Sequence, residues 1–149
     1  GTVYTMSDCG VRVICRFRPV NKRELEEGSA SDIVVGSVLQ FPDANSIVLN
    51  AWNGRPAQNF AFDRVFSEPT TTQEQVYELA ARDSIDNLIR GYNATIFAYG
   101  QTGAGKSFTM FGPDISQPQD KGIIPRACGF VPEHRHRHSH PMALVQLID

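Results

Sequence analysis

Near the start of the chain the side chains follow a period of two, with Val11, Val13, Cys15 and Phe17 interleaved with Arg12, Ile14, Arg16 and Arg18. That is the pattern of a half-buried strand. Pro19 lacks an amide donor and ends it. The charged stretch from Asn21 to Glu27, closed by Gly28, is compatible with a short solvated helix. Ile33 to Leu39, Ser46 to Asn50 and Gln58 to Phe62 are short strand candidates, and Asn53-Gly54 marks a tight turn before the last of them. The period then changes. Thr72 with Gln75 three residues on forms a capping-box signature, and Val76, Tyr77, Ala80, Ala81, Ile85, Leu88 and Ile89 keep helical spacing as far as Gly91. One helix is expected there. Thr95-Ile96-Phe97-Ala98-Tyr99 follows as an unbroken apolar run, the signature of a strand buried on both faces. A helix beside such a strand predicts an α/β sheet.

Composition narrows the picture only modestly. A chain of 149 residues with 41% apolar content can bury roughly 70% of its unfolded surface as one domain. The formal charge of −2 offers no basic footprint, so neither nucleic acid nor a membrane is expected as a partner. Cys9, Cys15 and Cys128 have no metal-ligand spacing and read as free thiols in a reducing compartment. With no apolar run near the roughly 18 residues of a spanning helix and no signal-peptide pattern, a soluble intracellular chain is expected.

The strongest chemistry lies directly after the apolar run. Gly100-Gln101-Thr102-Gly103-Ala104-Gly105-Lys106-Ser107 matches G-x-x-x-x-G-K-[ST] in full, between a predicted strand and a predicted helix. Its glycines allow the backbone to turn amide groups inward onto phosphate oxygens, and the start of the helix near Gly105 adds a positive end. Lys106 supplies a point charge for β- and γ-phosphates, while the Ser107 hydroxyl is the expected Mg²⁺ ligand, through the bound nucleotide. The plainer alternative is a glycine-rich bend that holds no ligand.

The segment from Gly91 to Gly112, GYNATIFAYGQTGAGKSFTMFG, closely resembles kinesin motor domains. Cys15-Arg16-Phe17-Arg18-Pro19 and Phe60-Ala61-Phe62-Asp63-Arg64-Val65-Phe66 resemble two further kinesin blocks in the same order, so the likeness runs from about Val11 to Ala127. It implies α/β architecture: an incomplete P-loop NTPase motor domain with a mixed central sheet flanked by helices. It also implies ATP or ADP with Mg²⁺ as cofactors, microtubules as partner, and a cytoplasmic, cytoskeletal location. By the same resemblance Arg16, Arg18 and Pro19 surround the adenine and Phe108 stacks on it. Arginine planes and an aromatic ring suit that task, each stacked base gaining about 1–3 kcal/mol. The alternative makes the two arginines solvated strand residues and Phe108 part of the core. The Phe60 to Phe66 block is expected in the core, and residues 112 to 121 as a loop kept non-helical by Pro113 and Pro118.

The resemblance also sets out what these residues do not contain. Neither of the family's later switch motifs, N-x-x-S-S-R-S-H and D-L-A-G-x-E, occurs in the sequence. Complete catalytic machinery, motor-rate hydrolysis and the main microtubule-contacting elements are therefore not expected of it. Composition shifts after Ala127 into Glu133-His134-Arg135-His136-Arg137-His138-Ser139-His140-Pro141. The expected plan is a flexible segment over 1–10, the kinesin-like part over 11–128, and a divergent, disordered tail over 129–149, as a truncated or alternatively spliced product would carry. His134, His136, His138 and His140 would share one strand face, but Arg135 and Arg137 place repulsive charge beside any metal there. Ala143 to Ile148 would form an apolar strand leading to Asp149, a second conceivable Mg²⁺-directed group. A nucleotide-binding module without turnover, an unstable truncated product and an unrelated P-loop NTPase remain the competing readings.

Overall fold

The computed structural model describes residues 10–20, 22–26, 38–67, 70–134 and 143–148. It divides into two compact units, Gly1–Pro69 and Thr70–Asp149, each treated by itself below. Of the first unit's expected elements, the segment 1–10 is described only at Gly10, and most of the Ile33 to Leu39 strand candidate lies outside the described residues.

In the first unit β1 (Ile14–Arg16) pairs in parallel with β5 (Arg64–Phe66), in the register Ile14↔Arg64, Cys15↔Val65 and Arg16↔Phe66. Asp63 locks the start of that pairing, since its Oδ2 accepts from the Val13 amide at 2.7 Å while its own amide donates to the Val13 carbonyl at 3.0 Å. Three antiparallel strands, β2 (Leu39–Gln40), β3 (Ser46–Leu49) and β4 (Gln58–Ala61), form a second sheet. Beyond the β3–β4 ladder the chain reverses at Asn53-Gly54, where both residues take positive φ, 50° and 78°, as a type I′ turn requires. The two sheets of this unit are tied through one corner: the Phe62 amide donates to Asn45 O and the Val65 amide to Ala44 O. Ile47, Val65 and Phe66 are buried, whereas Phe60 is 44% exposed. Phe60 thus departs from the expected core role, because β4 exposes both of its faces. The short helix expected in the charged stretch is α1 (Lys22–Glu26).

The second unit carries α2 (Gln73–Ala80), α3 (Arg82–Ile89), β6 (Ala94–Tyr99), α4 (Lys106–Met110), α5 (Ile123–His134) and β7 (Ala143–Ile148). The capping box forms as predicted, with Thr72 Oγ1 accepting from the Gln75 amide and Gln75 Oε1 from the Thr72 amide. The single helix predicted from Thr72 to Gly91 is instead two, separated at Ala81, whose φ of −123° leaves the helical range. The apolar spacing passes through the break unchanged because hydrogen bonds four residues apart persist on both sides of it, Ala81 N–H to Tyr77 O and Ile85 N–H to Ala81 O, each 2.9 Å. Val76, Tyr77, Ala81, Ile85, Leu88, Met110 and Ile123 make the core of this unit.

Two further expectations are corrected. Strand β6 is not buried on both faces: its residues alternate, leaving Phe97 57% and Tyr99 83% exposed. Nor is the chain after Cys128 without regular structure, since α5 continues to His134 and β7 pairs in parallel with β6 along its full length, from Ala94↔Ala143 to Tyr99↔Ile148. Pro125 sits in the first turn of α5, where its missing amide has no intrahelical acceptor to lose, and Pro132 falls within the last turn. Among the described residues parallel and antiparallel pairing both occur, so the mixed α/β character holds, distributed over separate sheets.

Candidate functional site

The predicted phosphate segment links β6 to α4. Gly105 caps α4 in the left-handed region, φ 98° and ψ 19°, and Gly103 has φ 82°. Those two bends reverse the chain within a few residues, a path that side-chain-bearing residues adopt only with strain. A hydrogen bond of 3.0 Å from the Ala104 amide to Gln101 O closes the bend. Gly100 combines a φ of 153° with a close approach, since a Cβ there would stand 3.0 Å from the Ala104 Cβ. Gln101, Thr102, Gly103, Ser107 and Phe108 are exposed, and Lys106 is half-buried.

The Lys106 ammonium is held over the segment itself, donating to Gly100 O at 2.7 Å and to Gln101 O at 3.2 Å. Its position is therefore set by the same bend that turns the backbone. Helix α4 is only five residues long, so the segment's amides and this ammonium carry most of the positive character, more than any helix end.

The residues assigned to adenine divide between the units. Phe108 lies in α4 and is 46% exposed, so it is not the core residue of the alternative reading. Arg16, Arg18 and Pro19 lie at the end of β1 and just beyond it. Burial pushes the Arg16 guanidinium below its ordinary value. Arg18 makes a two-pronged ion pair with Glu24 of α1, its Nη1 2.8 Å from Oε2 and its Nη2 on Oε1, and this hydrogen bonding raises its pKa. Glu24 was not among the sequence-predicted site residues, although its place in a charged stretch shortly after Arg18 was visible.

A second side chain missed by sequence reasoning is Gln73. It is 6% exposed, and its Nε2 donates to the Phe108 carbonyl at 2.6 Å. No sequence pattern separates it from Gln75, whose capping role the motif rule does capture. Of the four histidines, His136, His138 and His140 lie outside the described residues, as does Asp149. Among the described residues no cluster of His, Cys, Asp or Glu could hold a metal ion, and no helix is long and apolar enough to cross a membrane.

Comparison with known proteins gives the family of the chain. The family model of the kinesin motor domain matches residues 16–146. The chain belongs to the kinesin motor-domain family. Its relatives include a kinesin heavy chain of Syncephalastrum racemosum, 41% identical over 121 residues, covering 81% of this chain and 12% of that protein. Kinesin heavy chain isoform 5A of Homo sapiens is 43% identical over 122 residues, covering 82% of this chain and 10% of the relative. A fast kinesin, whose structure was described for its bearing on ATPase mechanism and interactions with microtubules, matches with a TM-score of 0.65 and 34% identity over 80% of this chain and 31% of its own. The chain thus spans about a tenth of the curated kinesin heavy chains and under a third of the solved one. The kinesin match runs past Cys128 through α5 and into β7, further than the sequence resemblance reached.

Proposed function

We propose that this chain is the nucleotide-binding part of a microtubule motor ATPase, holding Mg²⁺-ATP or Mg²⁺-ADP on residues 100–107. Amides of Gly100, Gln101, Thr102, Gly103, Ala104 and Gly105 surround the phosphates. Lys106 neutralises their β and γ oxygens, and the Ser107 hydroxyl reaches Mg²⁺. The family resemblance assigns Arg16, Arg18 and Pro19 of the first unit, and Phe108 of the second, to the adenine. Association with microtubules in the cytoplasm comes to this chain from its family and from the relatives' described properties. The share of that activity proposed for these residues is the holding of the nucleotide.

The observation that carries the reading is the placing of the Lys106 ammonium over the Gly100 and Gln101 carbonyls. Anionic phosphate oxygens are stronger acceptors than neutral carbonyls, so a polyphosphate reaching the segment draws the ammonium onto itself. In a thermal-shift titration, saturating Mg²⁺-ATP raises the melting temperature of the chain, and Lys106→Ala removes that rise. An undiminished rise in the Lys106→Ala variant defeats the assignment.

A further inference from the structure

We propose that Gln73 is a positioning residue for base recognition, its carboxamide holding the carbonyl end of α4 and, through it, the ring of Phe108. The inference rests on the nucleotide reading above and adds a residue to it.

Helix α4 covers only Lys106–Met110, too short to fix its own direction. Its N-terminal end is anchored by the Lys106 contacts to Gly100 and Gln101. At the other end the Phe108 carbonyl lies in the last turn of the helix, where carbonyls draw partners from outside it. Gln73 satisfies it from outside at 2.6 Å, across 35 residues of sequence. The donor is well held, because Gln73 begins α2, whose Val76 and Tyr77 are buried at 3% and 4% exposure.

The surroundings keep the acceptor in place too. Gln73 Nε2 lies 3.5 Å from Asp120 O, and that carbonyl occupies the space where a Gly112 Cβ would fall, 1.9 Å away. The chain after α4 therefore returns tightly against the end of the helix, closed by Gly122 N–H to Phe111 O at 2.9 Å. Arg126 of α5 fixes the returning strand of this loop through Nε to Lys121 O and Nη2 to Pro118 O, both 2.8 Å. Gln73 is thus a bond, beside that of Gly122 N–H to Phe111 O, between a fixed frame and the end of α4 that bears Phe108. Losing it frees the ring while leaving the phosphate end as it was.

The test measures two ligands, Mg²⁺-ADP and Mg²⁺-pyrophosphate, by titration calorimetry on the 149-residue chain. Gln73→Met keeps the volume and removes the donor, and it weakens Mg²⁺-ADP about 10-fold while pyrophosphate stays within about twofold of the parent. In a Phe108→Ala background the same substitution changes Mg²⁺-ADP affinity by less than about twofold, because the ring through which Gln73 acts is gone. Should Gln73→Met fail to fold, Gln73→Glu retains size and polarity but offers no donor when ionised, and it gives the same pattern. Equal weakening of both ligands, no weakening of either, or full additivity with Phe108→Ala overturns the proposal. A parent chain that binds neither ligand overturns the nucleotide reading and this inference together, whereas a parent that binds both isolates the fate of Gln73.

Discussion

Tyr77 lies on the buried face of α2 at 4% exposure, yet its hydroxyl has no hydrogen-bond partner among the described residues. Burial raises its pKa above the ordinary phenol value of 10.0. A buried hydroxyl without a partner costs about 1–3 kcal/mol, so Tyr77→Phe is expected to raise stability by about 1 kcal/mol, seen as a higher urea midpoint with unchanged slope. The linkage has a definite sign. A phenol whose folded pKa lies above its unfolded one favours the fold fully below pH 10.0 and loses that contribution as pH rises through the folded value. Parent and variant therefore diverge further in alkaline urea titrations, and a destabilised Tyr77→Phe would show that the hydroxyl is satisfied after all. Lys106 and Ser107 were legible at this scale because their chemistry depends on spacing within eight residues. Gln73 and Glu24 were not, because their roles follow from partners that only folding brings near.

At the scale of elements, period and capping located most strands and helices, while the boundaries that failed did so for physical reasons. The break at Ala81 is invisible to periodicity because α2 and α3 present one continuous apolar face. The full burial expected of β6 rested on its unbroken apolar run, and a run cannot report that Phe97 and Tyr99 stay exposed on one side. The continuation of α5 past the change in composition shows proline placement outweighing proline count. The loop from Gly112 to Lys121 was predicted as non-helical from its prolines, but its tight closure depends on a glycine contact that the sequence does not display. Gly112 has φ 88°, and a Cβ would meet the Asp120 carbonyl at 1.9 Å. Gly112→Ala is accordingly expected to destabilise the chain by more than about 2 kcal/mol by chemical denaturation. A loss below about 0.5 kcal/mol would mean that the loop opens freely, within the range of neutral surface changes.

At the scale of the molecule, the first unit rests on a small core of Ile47, Val65 and Phe66, and the second on a larger one built around α2, α3 and Met110. The family was legible in sequence because it is written in contiguous motifs. The division into units and the exposed side of β6 were not, since both depend on how segments distant in sequence pack. Ligand linkage connects fold and site: a nucleotide at a hundred times its dissociation constant adds about 2.7 kcal/mol of stability. The most direct measurement is titration calorimetry of Mg²⁺-ADP into the folded chain. Saturable uptake of one nucleotide per chain is the predicted result. Folded protein that takes up no nucleotide at millimolar concentration would contradict it.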